Sequence, residues 1–76
     1  MGRAGQALRA ILKVHNISQN RLAVLLQVDR SVVFKWFHEQ RDPTTETVVA
    51  IVTALKELNP AAARDFVRLY LGEIVE

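Results

Sequence analysis

Leu8, Ile11 and Leu12, with His15 at the next place, fall at the i, i+3, i+4, i+7 spacing that lines one face of a helix. The spacing predicts a first helix from about Gly5 to His15, closed by Asn16 as a left-handed residue past its end. Ser18 is placed to cap a second helix, in which Leu22, Leu25 and Leu26 face inward and Ala23 lets a neighbour come close. Gln27-Val28 makes a turn. Asp29 then caps a third helix, its carboxylate accepting from the amide of Ser31 or Val32. That helix carries Val33, Trp36 and Phe37 on one side and Arg30, Ser31, Phe34 and Lys35 on the other. It gives way to Glu39-Gln40-Arg41-Asp42-Pro43, a loop closed by proline. Thr44 or Thr45 caps a fourth helix, with Val48, Ile51, Val52, Leu55 and Leu58 as its stripe. Asn59-Pro60 starts a fifth, a capping side chain before a proline at the first helical position, and Gly72 is its expected stop. No period-two alternation marks a strand. Five short helices with short connections predict an all-α orthogonal bundle, its core within 5–58 and its last helix at about 60–71.

Length and composition narrow this further. Seventy-six residues make one domain, 1–76, near the lower limit for a stable core, and half of them are hydrophobic. Cysteine is absent, so neither a disulfide framework nor a thiolate metal site is available, and a small chain without such staples leans on dimerisation. No apolar run approaches membrane-spanning length and no signal-peptide segment opens the chain. Gln6 stands where N-myristoylation wants Ser or Thr. A soluble, cytoplasmic protein is expected. Its net charge of +2 is unevenly spread. Residues 1–41 carry Arg3, Arg9, Lys13, Arg21, Arg30, Lys35 and Arg41 against Asp29 and Glu39, a balance of +5; residues 42–76 balance at −3. A basic half joined to an acidic one suggests a surface facing a polyanion.

The ordered set Leu8-Arg9, Ile17-Ser18-Gln19, Leu22-Ala23, Leu26, Val28, Arg30-Ser31, Val33, Trp36, Arg41, Pro43 and Thr44 through Leu55 resembles the Cro/C1-type helix-turn-helix, or XRE, family. The resemblance implies a lambda-repressor-like five-helix bundle with the helix-turn-helix at helices 2 and 3. It implies a sequence-specific transcriptional regulator that binds double-stranded DNA as a homodimer. Position by position, it implies that Gln19 bonds a phosphate or braces the recognition helix, and that Arg30, Ser31 and Lys35 reach base edges. Phe34 falls at a further exposed position where polar or small residues are common. His38, late in the third helix, and Arg41, in the loop beyond, complete the candidate DNA-binding set. Three departures stand out. Gln27 and Glu39 replace glycines usual after the second and third helices. Leu12 and Phe37 replace an arginine and a glutamate that often form a partly buried ion pair, so they are expected to touch as an apolar pair in the core.

Several residues admit two readings. Arg30 is suited to pair bidentately with guanine, and Lys35 to meet guanine or phosphate; either is also an ordinary exposed cation. Ser31 can reach DNA or bond its own backbone. Phe34 and Val32 can meet thymine methyls or mark a protein-binding patch. Arg3, Arg9, Lys13, Arg21 and Arg41 would supply phosphate attraction, with Arg9 and Lys13 on one face. His15 and His38 are read as two isolated histidines that no cysteine or carboxylate cluster completes, so no metal site is expected. No Ser/His/Asp set, glycine-rich loop or carboxylate pair suggests an enzyme or a cofactor. On the last helix Ala62, Phe66 and Leu69 form a stripe for the domain's own core. Ala63, Val67, Tyr70 and Ile74, with Leu71 and Val75, form a second. The expected dimer interface is Val67, Tyr70, Leu71 and Ile74. The alternative function is a protein-interaction module, or an antitoxin-like partner, that keeps the fold with weak or lost DNA binding.

Overall fold

The computed structural model of the protein describes residues 3–75, with side chains for residues 3–72. Its elements are α1 (Arg3–Val14), α2 (Gln19–Leu26), α3 (Arg30–Phe37), α4 (Thr45–Leu58) and α5 (Pro60–Val75). No strand occurs among the described residues. Helix α1 packs on α5 and α3, α2 packs on α3 and α4, and α4 lies along α5. Leu8, Ile11, Leu12, Leu22, Ala23, Val33, Trp36, Ile51, Leu55, Ala62 and Phe66 meet in one buried cluster. No helix among the described residues is long and apolar enough to cross a membrane.

The starts of α2 to α5 each have a local chemical cause. Ser18 Oγ accepts from the Arg21 amide at 3.0 Å, Asp29 Oδ1 from Ser31 at 2.9 Å, Thr44 Oγ1 from Thr47 at 3.2 Å and Asn59 Oδ1 from Ala61 at 3.0 Å. The ends of the first three helices share one device. Asn16, Gln27 and Glu39 sit in the left-handed region at φ 55°, 58° and 59°. The residue after each donates five positions back: Ile17 to Leu12, Val28 to Ala23 and Gln40 to Lys35, at 2.9, 3.1 and 2.8 Å. These bonds satisfy carbonyls that a helix end would otherwise leave unpaired. Gln27 and Glu39, which stand where the resemblance leads one to expect glycine, thus adopt the left-handed conformation that glycine takes most readily.

Helix α5 does not stop at Gly72 as the sequence predicts; it runs on to Val75. A glycine inside a helix costs only about 1 kcal/mol, and no described glycine adopts a left-handed conformation. Nor are the two stripes of α5 divided as expected. Leu69, predicted for the core, is 48% exposed, whereas Ala63 is buried and Tyr70 packs against the core. The Tyr70 ring lies parallel to that of Phe66, with centroids 5.9 Å apart, and this stacking turns the inner face towards Ala62, Ala63, Phe66 and Tyr70. Leu25 likewise faces outward, because α2 meets the core through Leu22, Ala23 and Leu26.

His15 differs from expectation too. Folding brings Asp65 to it, Oδ2 lying 3.0 Å from Nε2. Asn59 Nδ2 lies 3.3 Å from Nδ1 on the other side. The Asn59 carbonyl is occupied by the Ala61 amide, which leaves its NH2 group to face Nδ1. One imidazole thereby ties the end of α1 to the α4–α5 turn.

Two substitutions test this account. Gln27→Gly relieves a left-handed glutamine and should raise stability by about 0.5–1 kcal/mol. Gly5→Ala, normally favourable in a helix, should lower it by about 1–3 kcal/mol, because the new Cβ would overlap the Trp36 carbonyl oxygen, a backbone atom. Denaturant midpoints read both. A Gln27→Gly midpoint below wild type would contradict the first.

Candidate nucleic-acid interface

Helix α3 owes its position to its two ends and its back. Val33 and Trp36 are buried in the core and Val32 is half-buried against it. At the N-terminal end the Asp29 carboxylate takes the Ser31 amide. Its carboxyl is held below the usual range by that bond first, with the Ser31 hydroxyl and the Arg30 charge adding to it. The C-terminal end is gripped by α1. Arg9 Nη1 donates to the Phe37 carbonyl at 2.9 Å and Nη2 to Glu39 Oε2 at 2.7 Å, while Gln6 Nε2 reaches Glu39 Oε1 at 3.4 Å. Gly5 lets the two backbones close up beside Trp36.

With its back and ends fixed, α3 presents Arg30, Ser31, Phe34, Lys35 and, just past its last turn, His38 to solvent. Gln19 and Asn20 of α2 join Asp29, Arg30, Ser31 and Phe34 around one open groove. Gln19 also borders a second groove with Arg9, Leu12, Lys13, Ile17, Ser18 and Phe37. The fold therefore gathers Gln19, Arg30, Ser31 and Phe34 of the expected set at one place, with Lys35 and His38 on the same short helix and its cap. Arg41 is exposed but borders another recess, with Val28, Val32, Trp36 and Pro43. Asn20 was not singled out in the sequence; its one signal there is a place in the polar run Ser18-Gln19-Asn20-Arg21 that opens α2.

Three expectations need correction. Phe37 is only half-buried, beneath the Arg9 guanidinium at 5.9 Å, although it does border one groove with the buried Leu12. Arg9, expected on phosphate, is engaged with Glu39 and Phe37. His15 is not isolated from carboxylates, as Asp65 shows, yet no cluster of three or more His, Cys, Asp or Glu suited to a metal occurs among the described residues. On α5, Val67 and Leu71 are exposed and Tyr70 is half-buried on the chain's own core. The Ile74 side chain lies outside the described residues.

A short capped helix, a tight left-handed turn and a second helix with a packed back and an exposed polar front define a helix-turn-helix DNA-binding domain. The chain belongs to the Cro/C1-type helix-turn-helix family: the family's sequence model, described as "Helix-turn-helix", matches residues 8–61, from the first core leucine into the first turn of α5. No curated protein and no solved structure matches the chain.

The α1–α3 junction makes an acid prediction. Glu39 is held below the usual carboxyl range, mainly by its bond to Arg9. A carboxyl lowered by folding stabilises above its unfolded pKa, about 4, and that contribution is lost as pH falls through the folded value. Melting temperature should therefore fall on acidification below about pH 4, and fall less in Glu39→Gln than in wild type. Parallel acid profiles for the two proteins would remove Glu39 from the junction.

Proposed function

We propose that this domain is a sequence-specific transcriptional regulator that binds DNA as a two-fold homodimer and reads the major groove with α3. The observation that carries the reading is the division of α3. Its apolar residues Val33 and Trp36 are spent on the core, while Arg30 and Lys35 stand exposed beside Gln19 and Asn20. Arg30 is placed in the first turn, where a guanidinium can pair with guanine O6 and N7. Lys35 supplies charge further along. Ser31, whose amide is bonded to Asp29, serves the helix start first and DNA second. Lys13, Arg21 and Arg41, all exposed, and the half-exposed Arg3 offer charge to phosphate, whereas Arg9 is committed to Glu39.

The dimer is supported by α5. Val67 and Leu71, one turn apart, are each 37% exposed on a helix whose other face covers the core. A symmetric contact there would hide them and set two α3 helices about 34–36 Å apart, one turn of DNA. The rival reading, an interaction module without DNA binding, draws on Val32, Phe34 and Glu39, the apolar and acidic residues on or just beyond α3. Val32 packs on the core and Glu39 pairs with Arg9, which leaves Phe34 alone in its favour.

Selection from random duplexes should enrich a two-fold symmetric motif, and Arg30→Ala should cost about 1–3 kcal/mol at one base pair per half-site while relaxing preference there. Enrichment of no motif would overturn the reading. Val67→Glu with Leu71→Glu should give a folded monomer by sedimentation that binds the selected duplex weakly. Wild type that is monomeric at tens of micromolar would remove the dimer.

A further inference from the structure

We propose that Phe34, backed by His38, is a reader of pyrimidine C5-methyl groups, so that thymine and 5-methylcytosine count alike at one base pair of each half-site. The inference rests on the DNA reading above and names the base chemistry that reading takes. Phe34 is 46% exposed on a helix that buries Val33 and Trp36 and half-buries Val32. It shares the groove of Arg30, Ser31, Gln19 and Asn20. The His38 ring lies 4.2 Å from it, tilted by 47°, and covers part of its surface. His38 in turn meets the edge of Phe37, which packs against the core, so the ring's support leads back into the fold.

A phenyl ring has no donor or acceptor. Set against an amino or carbonyl group of a base edge, it would strip that group of water and return no hydrogen bond. The one apolar group on the major-groove edge is the C5-methyl, carried by thymine and by methylated cytosine. Phe34 therefore selects through that methyl, and it works against unmethylated cytosine as well as for its methylated form. Its place on α3 also fixes where. Arg30 and Phe34 are four residues apart, about 6 Å along a helix, which is under two base-pair steps of 3.4 Å. The methyl-sensitive pair lies one or two steps from the pair read by Arg30. His38 acts here as a positioning residue for the ring.

The test uses the duplex that selection enriches. Each thymine is replaced in turn by uracil, which removes one methyl and nothing else. Wild type should lose about three- to tenfold in affinity at one position per half-site, one or two steps from the pair where Arg30→Ala relaxes preference. Placing cytosine there should weaken binding, and 5-methylcytosine should restore about the same three- to tenfold factor. In Phe34→Ala both ratios should fall to about one, in Phe34→Leu they should persist in part, and in His38→Ala they should shrink while the effect of Arg30→Ala is unchanged. Uracil binding as well as thymine at every position, on a duplex the protein binds tightly, overturns the proposal and leaves DNA reading intact. Ratios unchanged in Phe34→Ala overturn it equally. Failure to enrich any duplex instead overturns the DNA reading on which it rests.

Discussion

The close approach of α1 to the end of α3 is the constraint on which the rest turns. A helix of eight residues has too little length to hold its own angle; its direction is set by what grips its ends. Here Gly5 removes the one Cβ that would hold the helices apart, and Arg9 then closes across Phe37 and Glu39. Because the arginine takes a carbonyl and a carboxylate together, it fixes both where α3 ends and which way the chain leaves it. Trp36, beneath this junction, supplies the buried surface that makes the grip worth holding.

The Arg9–Glu39 ion pair also bears on where the chain departs from its family's sequence pattern. Leu12 and Phe37 had both become apolar, which removes a charge pair without stranding either member. The structure joins α1 to the end of α3 all the same, one turn earlier on α1 and two residues beyond α3. The glutamate that does it occupies a place usually given to glycine. Glu39 accepts a left-handed backbone, and from that conformation its carboxylate reaches Arg9 and Gln6. A local cost is set against a tertiary contact.

How much of this could be read in the sequence follows the range of the interactions involved. Caps and left-handed ends were legible at Ser18, Asp29, Asn59 and Asn16, because each depends on residues within a few positions. The family's ordered pattern carried the bundle and the placing of α2 and α3. What escaped were contacts whose partners lie far apart: Arg9 with Glu39, thirty residues on, and His15 with Asp65, fifty residues on. The inner face of α5 escaped for a related reason. Its helix is apolar on more than one side, so periodicity alone could not choose between Leu69 and Tyr70, and the ring of Phe66 decided it.

Apart from Ser31 and the charge of Arg30 at the helix start, the exposed row of α3 has no share in holding the fold. Arg30, Phe34 and Lys35 have no part in the buried cluster, whereas the residues that secure the helix point away from that row or lie on α1. Folding and the recognition proposed for α3 thus fall largely on separate letters of the same eight-residue word. Such a separation leaves a lineage free to exchange its target one side chain at a time, each intermediate still folded, and it gives an engineer a scaffold whose readable surface can be rewritten without repair elsewhere.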